Sequence, residues 1–274
     1  MKIAVSGKGG VGKTLLASRL ARAFADAGYS VIAIDADPDA NLAATLGFPH
    51  PDSIIPISEM SDLIEERTGA RPGTVAPLYR LNPKVDDLPQ RLSVEHEGIR
   101  LMVMGRIKRG GTGCYCPEGT LLQALLSHLL LEGDEVVILD MEAGIEHLAR
   151  GTARVVDRLI IVVEPGRRSI ETATRIDGLA RDLGVRNINV VGNKIRGEFD
   201  RNFIISSLPG FEFLGFIPFD EALVDADIGN RSLLDSSNKI AEEVRKIYSA
   251  LISGMTGSDN GSNTSTKARA AGQN

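Results

Sequence analysis

Gly7-Lys8-Gly9-Gly10-Val11-Gly12-Lys13-Thr14 follows a short apolar run, Lys2 to Ser6, and precedes a stretch in which Leu16, Leu20, Ala23, Phe24 and Ala27 recur at helical spacing. It matches G-x-x-x-x-G-K-[ST], the phosphate-binding loop, in the strand, loop and helix setting that the chemistry requires. Glycines let the backbone curl until successive N–H groups point at phosphate oxygens, and the helix N-terminus adds its dipole. The nucleotide is therefore expected against Gly9, Gly10, Val11, Gly12, Lys13, Thr14 and Leu15. Lys13 should reach the β and γ phosphates of ATP, and the Thr14 hydroxyl should complete the shell of a magnesium ion. Gly28 stands where the helix should be C-capped.

Outward from this loop, apolar runs alternate with amphipathic stretches, the pattern of strand, crossover helix and parallel strand. Strands are expected at Lys2 to Ser6, Val31 to Asp35, Ile99 to Met104, Val136 to Asp140, Leu159 to Glu164, Ile188 to Asn193 and Phe213 to Ile217. Their continuous Val, Ile and Leu content suits a sheet covered on both faces. Further helices are expected at Leu121 to Leu131, Glu146 to Val155, Ser169 to Leu183 and Lys239 to Ile252. The fold class is α/β, a mainly parallel central sheet with helices on both faces. In the last helix Ile240, Val244, Ile247, Leu251 and Ile252 form one stripe; its mixed polar face favours core packing over a membrane-surface anchor.

Two regions break the alternation. Residues 48–98 hold seven of the twelve prolines, which predicts a loop-rich insertion with one short helix near Ser58 to Arg67. After Ile252 no Ile, Leu, Val or Phe remains, so 253–274 is expected to be a disordered polar tail on a single domain spanning 1–252. At 274 residues and 43% hydrophobic, the chain has ample material for a core. No apolar run approaches the roughly 20 residues of a membrane helix. Nor does an apolar signal core follow Met1-Lys2-Ile3, so a cytoplasmic location is expected. A net charge of -5 argues against a general polyanion binder, so neither nucleic acid nor membrane is an expected partner.

Lys8 is not required by the general loop pattern. GKGGVGKT is a deviant Walker A sequence and resembles the MinD/ParA and nitrogenase-iron-protein class of ATPases. The resemblance implies that Lys8 crosses a homodimer interface to the nucleotide of the other subunit, a cation supplied where negative charge develops. Leu15 departs from the Ser or Thr frequent there, leaving only a backbone N–H to offer.

Asp35-Ala36-Asp37-Pro38-Asp39 and Asp140-Met141-Glu142-Ala143-Gly144-Ile145-Glu146 both follow strands, on the edge where open α/β sheets bind ligands. By resemblance, Asp37 orients or deprotonates the attacking water, Asp140 holds magnesium through its water shell, and Asp35 lies beside that shell. Helix capping is the plainer role for such carboxylates and is compatible with catalysis. Val191-Gly192-Asn193-Lys194 and Gly215-Phe216-Ile217-Pro218-Phe219 resemble the family's base-recognition elements, with the Asn193 amide reading the adenine edge and Pro218 flanking the base. A strand-terminal proline is also common for structural reasons alone.

Cys114-Tyr115-Cys116 contains the only cysteines. Their loop is glycine-rich and carries Lys108 and Arg109, cations that favour thiolate. A disulfide between residues two apart would be strained. Two thiolates are half of a tetrahedral site, and a two-fold dimer would bring the other half. An intersubunit metal site, a redox pair and no special role all remain open on these residues. With the deviant loop, Met104 to Gly111 and Asp140 to Leu148, the pattern resembles the CooC/AcsF family of nickel-insertion ATPases that serve carbon monoxide dehydrogenase and acetyl-CoA synthase. The similarity spans roughly residues 1 to 252. It implies ATP hydrolysis to ADP, nickel or zinc on Cys114 and Cys116 between subunits, and an apo form of one of those enzymes as client. A MinD/ParA-type positioning ATPase and an iron–sulfur carrier are the alternatives. The carrier would need a second cysteine loop, and the chain has Gly144 to His147 there instead.

Overall fold

Eight strands, Lys2–Gly7 (β1), Val31–Ala36 (β2), Val94–His96 (β3), Ile99–Val103 (β4), Val136–Met141 (β5), Arg158–Val163 (β6), Ile188–Ile195 (β7) and Glu212–Pro218 (β8), form one sheet of order β3-β4-β2-β5-β1-β6-β7-β8. Every pairing is parallel except β3 with β4. This computed structural model describes residues 1–72, 78–105, 116–132, 135–143, 156–229 and 231–256. The helix expected at Glu146 to Val155 lies outside the described residues.

The described helices are Lys13–Asp26 (α1), Leu42–Thr45 (α2), Ser61–Thr68 (α3), Leu88–Leu92 (α4), Pro117–Glu132 (α5), Arg167–Leu183 (α6), Glu198–Ser207 (α7), Glu221–Ile228 (α8) and Asn238–Thr256 (α9). Alternation along the strands sorts the core into two layers. Ile3, Val5, Val31 and Ala33 pack with Leu16, Leu20 and Phe24 of α1 and with Ile240, Val244, Ile247 and Leu251 of α9. Ala4, Ile32 and Ile34 face the other way, onto Leu121, Leu125 and Leu129 of α5 and Ile176 of α6. The α9 stripe is thus core, which removes the apolar face that a membrane-surface anchor would need. Among the described residues no helix is long and apolar enough to cross a membrane.

All seven expected strands are present, with ends shifted by one or two residues. β3 was not expected: three residues are too few to display alternation, and it joins the sheet by antiparallel pairing across a tight connection. The stretch 48–98 is more ordered than its prolines suggest. Two 3-10 turns, Pro51–Ser53 and Ile57–Glu59, precede α3, and Ile57, Ile64 and Leu88 are buried in the layer that holds α5. Helix α9 runs to Thr256, beyond the expected start of the polar tail at 253, because the Gly254-Met255-Thr256 extension continues its turns. Residues 257–274 lie outside the described residues. The seven parallel strands place their C-termini on one edge, and the loop after β1 opens there between β5 and β6.

Candidate functional site

Two glycines shape the phosphate loop. Gly7 leaves β1 with φ +152, and a Cβ on it would strike the Val162 carbonyl of β6. Gly12, the residue before α1, has φ +96, and a Cβ there would overlap the Asn193 amide. Both conditions exclude ordinary side chains. Between them Val11 is buried and anchors the loop to the core, while Gly9 and Gly10 are exposed at its mouth. No side chain caps α1 and no acidic residue stands in its first turn, so the helix dipole and its first N–H groups are offered to an anion. Lys13 is 6% exposed, with Nζ 3.7 Å from Oδ2 of Asp37. Thr14 and Leu15 are half-buried in the same turn.

On the β5 and β2 side, Asp140 and Asp35 face each other across the parallel register, and both are fully buried. Asp35 Oδ2 accepts from the Leu42 amide at 2.9 Å and Oδ1 from the Asp37 amide at 3.2 Å. These bonds tie the segment after β2, and Asp37 Oδ1 in turn accepts from the Asp39 amide at 3.1 Å. Burial still pushes the Asp35 carboxyl up to about 6, against those backbone bonds and with a further push from the Asp37 charge. Asp140 differs: among the described residues neither of its oxygens has a hydrogen-bond partner of normal geometry. Burial pushes it up to about 7. The nearby Thr14 hydroxyl and Lys13 ammonium favour the charged form, and the carboxylates of Asp35 and Asp37 oppose it. The Asp140 carboxylate and the Thr14 hydroxyl beside it are oxygen donors suited to a hard divalent cation that keeps most of its water shell. The residues present therefore fit magnesium, with Asp140 and the Thr14 hydroxyl as its holders.

On the β6 and β7 side the polar groups are paired. Lys8 Nζ donates to Glu164 Oε1 at 2.8 Å, and Lys194 Nζ donates to Glu164 Oε2 at 3.0 Å and to the Gly10 carbonyl at 2.6 Å. Burial alone would raise the Glu164 carboxyl, but the two ammonium groups outweigh it and hold the group below the usual carboxylate range. Asn193, 5% exposed, donates from Nδ2 to the Val11 carbonyl at 2.7 Å and accepts at Oδ1 from the Lys194 amide at 2.8 Å. A register irregularity between Gly192 and Ile195 and a left-handed Lys194, φ +59, turn both side chains back onto the phosphate loop. Asn193 thus braces the loop from below through one of its two amide N–H groups. Pro218 ends β8 opposite Ile195, half-buried, at the same edge.

The site thus brings together Lys8, Lys13, Thr14, Asp37 and Asp140, with Asn193 and Pro218 on its flank. Glu164 and Lys194 were missed, although each ends a parallel strand at the ligand edge, which is the signal that could have found them. Cys114 lies outside the described residues. Cys116 directly precedes α5 and is half-buried, its Sγ accepting from the Gly119 amide at 3.3 Å. Burial and the adjacent Glu118 push its thiol up, against that amide, the opposite of the expected thiolate bias. The cations expected to favour thiolate, Lys108 and Arg109, lie outside the described residues. Among the described residues no cluster of three or more His, Cys, Asp or Glu could hold a metal ion.

Residues 2–233 match the family profile described as the CobQ/CobB/MinD/ParA nucleotide binding domain. The chain is 48% identical over 254 residues to the carbon monoxide dehydrogenase accessory protein CooC of Rhodospirillum rubrum, covering 92% of this chain and 96% of that protein. It is 49% identical over 256 residues to an uncharacterised ATP-binding protein of Methanocaldococcus jannaschii, covering 92% of this chain and 98% of that one. Among solved structures, the MinC:MinD cell division complex of Aquifex aeolicus superposes with a TM-score of 0.65 at 23% identity, over 92% of this chain and 95% of that one. That likeness speaks to the fold alone.

Proposed function

Because the chain belongs to the CobQ/CobB/MinD/ParA nucleotide-binding family and, within it, to the CooC-type ATPases, we propose that it hydrolyses ATP to drive metal delivery during assembly of a carbon monoxide dehydrogenase or acetyl-CoA synthase centre. The observation that carries the nucleotide part is Asp140, a fully buried carboxylate beside Lys13 and Thr14 that has no hydrogen-bond partner of normal geometry among the described residues. Asp140 and the Thr14 hydroxyl would hold a magnesium ion, which would supply positive charge to the nucleotide's phosphates. The loop N–H groups and Lys13 hold those phosphates, and Asp37 takes the proton as water attacks the γ phosphorus and the bond to the β-phosphate oxygen breaks. Lys8 completes the charge balance from a second copy of the chain.

Cys114 and Cys116, with the same pair from that copy, hold nickel, or zinc in its place, as cargo. The 48% identity to CooC supports this part. Nucleotide state changes the packing of the two subunits and so the grip on the cargo, a population shift between two dimer states. The test is anaerobic elemental analysis with mass determination in solution, with and without an ATP analogue, on wild type and a Cys114→Ala, Cys116→Ala double variant. One metal ion per two chains is expected in wild type and none in the variant. Full metal retention in the variant, or an oligomeric state indifferent to nucleotide, overturns the proposal.

A further inference from the structure

Glu164 belongs to neither the phosphate loop nor the acidic corner, yet it is the residue that Lys8 touches. Its backbone N–H donates to the Ser169 hydroxyl at 3.0 Å, which sets the end of β6 against the start of α6. The carboxylate is 21% exposed and the Lys8 side chain 37%, so the pair is neither sealed in the core nor free in solvent. Lys194 takes the second oxygen from the far side and leans on the Gly10 carbonyl, so that one carboxylate spans two ammonium groups at the loop mouth.

We propose that Glu164 is an intrasubunit latch for Lys8: it holds this lysine against its own protomer, and the contact must break before Lys8 can reach a nucleotide in a second copy. The inference rests on the cross-subunit role of Lys8 given above. Its physical basis is competition for one cation. Holding the Lys8 ammonium at 2.8 Å from Glu164 of its own protomer competes with extending the same side chain to a phosphate across an interface. Lys194 is a positioning residue here. It neutralises Glu164 once Lys8 has left, so the vacated carboxylate is not stranded beside the incoming phosphates. Each dimer releases two latches, and pairs of this exposure are individually weak, which makes the device a bias and not a lock.

The test measures dimerisation by sedimentation in the presence of a non-hydrolysable ATP analogue and magnesium, for wild type, Glu164→Gln, Glu164→Asp, Lys8→Ala and the Lys8→Ala, Glu164→Gln double variant. Glu164→Gln should dimerise at roughly tenfold lower protein concentration than wild type, the effect of two lost pairs of modest strength. Glu164→Asp, which keeps the charge, should stay near wild type. The gain should vanish in the Lys8→Ala background. Thermal melts and analogue binding identify any variant that fails to fold, and Glu164→Ala, which also removes the charge and should show the same gain, then carries the comparison. If Glu164→Gln dimerises no better than wild type while Lys8→Ala is defective, the latch is wrong and the cross-subunit reading stands. If Lys8→Ala dimerises like wild type, that reading itself fails and the latch goes with it.

Discussion

Around β1, the strands on one side end in Asp35 and Asp140, and those on the other end in Glu164, Asn193 and Lys194. The second group satisfies itself. Asn193 bonds Val11 and the Lys194 backbone, and Glu164 bonds two lysines. The first group does not: Asp35 is held by two amides, but Asp140, directly opposite it and equally buried, has no partner of normal geometry for either oxygen among the described residues. An unpaired buried carboxylate costs several times what a satisfied one does, so a fold keeps it where something else completes it. The paired side is architecture that shapes and restrains the loop. The unpaired side is where a cation belongs.

Asp140→Asn is the sharpest way to break this contrast. It should lower ATP hydrolysis about 100-fold or more, by removing charge that acts on the transition state. The melting temperature should hold or rise, since a neutral amide replaces an unpaired charge. A variant with normal turnover, or one that unfolds, would place Asp140 with the architecture instead.

Gly12→Ala tests the paired side next. A Cβ at φ +96 against the Asn193 amide should cost about 1–3 kcal/mol of stability and weaken nucleotide binding. Asn193→Ala introduced alongside should return part of the loss by making room; denaturant titration of the single and double variants reads the coupling.

The acidic corner also predicts a pH dependence for the chain free of nucleotide and magnesium. Asp35 and Asp140 are raised to about 6 and about 7 from ordinary values near 4. Between those limits the folded chain binds more protons than the unfolded one, so stability falls as pH rises from about 4 through about 7. Expressed as wild type minus Asp140→Asn, the fall should be on the order of 1 kcal/mol or more. Magnesium with nucleotide should abolish or reverse it, since a cation favours the charged form. A flat difference curve from thermal melts across that range would remove the claim. The smallest effect is expected from Lys194→Met, which takes away an exposed bond to the Gly10 carbonyl. Nucleotide affinity, measured by calorimetry, should fall by less than about tenfold, with the magnesium requirement unchanged.

Much of this site was legible in the order of residues. Gly7 to Thr14 reads as a phosphate loop because its chemistry is backbone chemistry, local and contained in eight consecutive positions. Asp35 and Asp140 could be placed at strand ends from hydrophobic runs alone. What could not be read was how each polar side chain is used. The Asn193 amide, expected to read a base, also gives one N–H to Val11, 182 residues away. Glu164 was read only as the last residue of a strand. Short β3 and helices α7 and α8 escaped notice because they are too brief, or too weakly amphipathic, for periodicity to mark them. Cys116 shows the same limit, since the burial and the nearby Glu118 that push its thiol up are not visible in a Cys-x-Cys spacing.

The sequence by itself determined the α/β class, the nucleotide loop and the identity of the family, because periodicity and contiguous motifs carry that information along the chain. Tertiary structure alone decided that Asp140 stands buried opposite Asp35, and that Lys8 rests on a glutamate 156 residues away. Strand order and register bring these groups together, and they are set by packing of the whole sheet between its two helical layers, a global free-energy balance that no local pattern encodes.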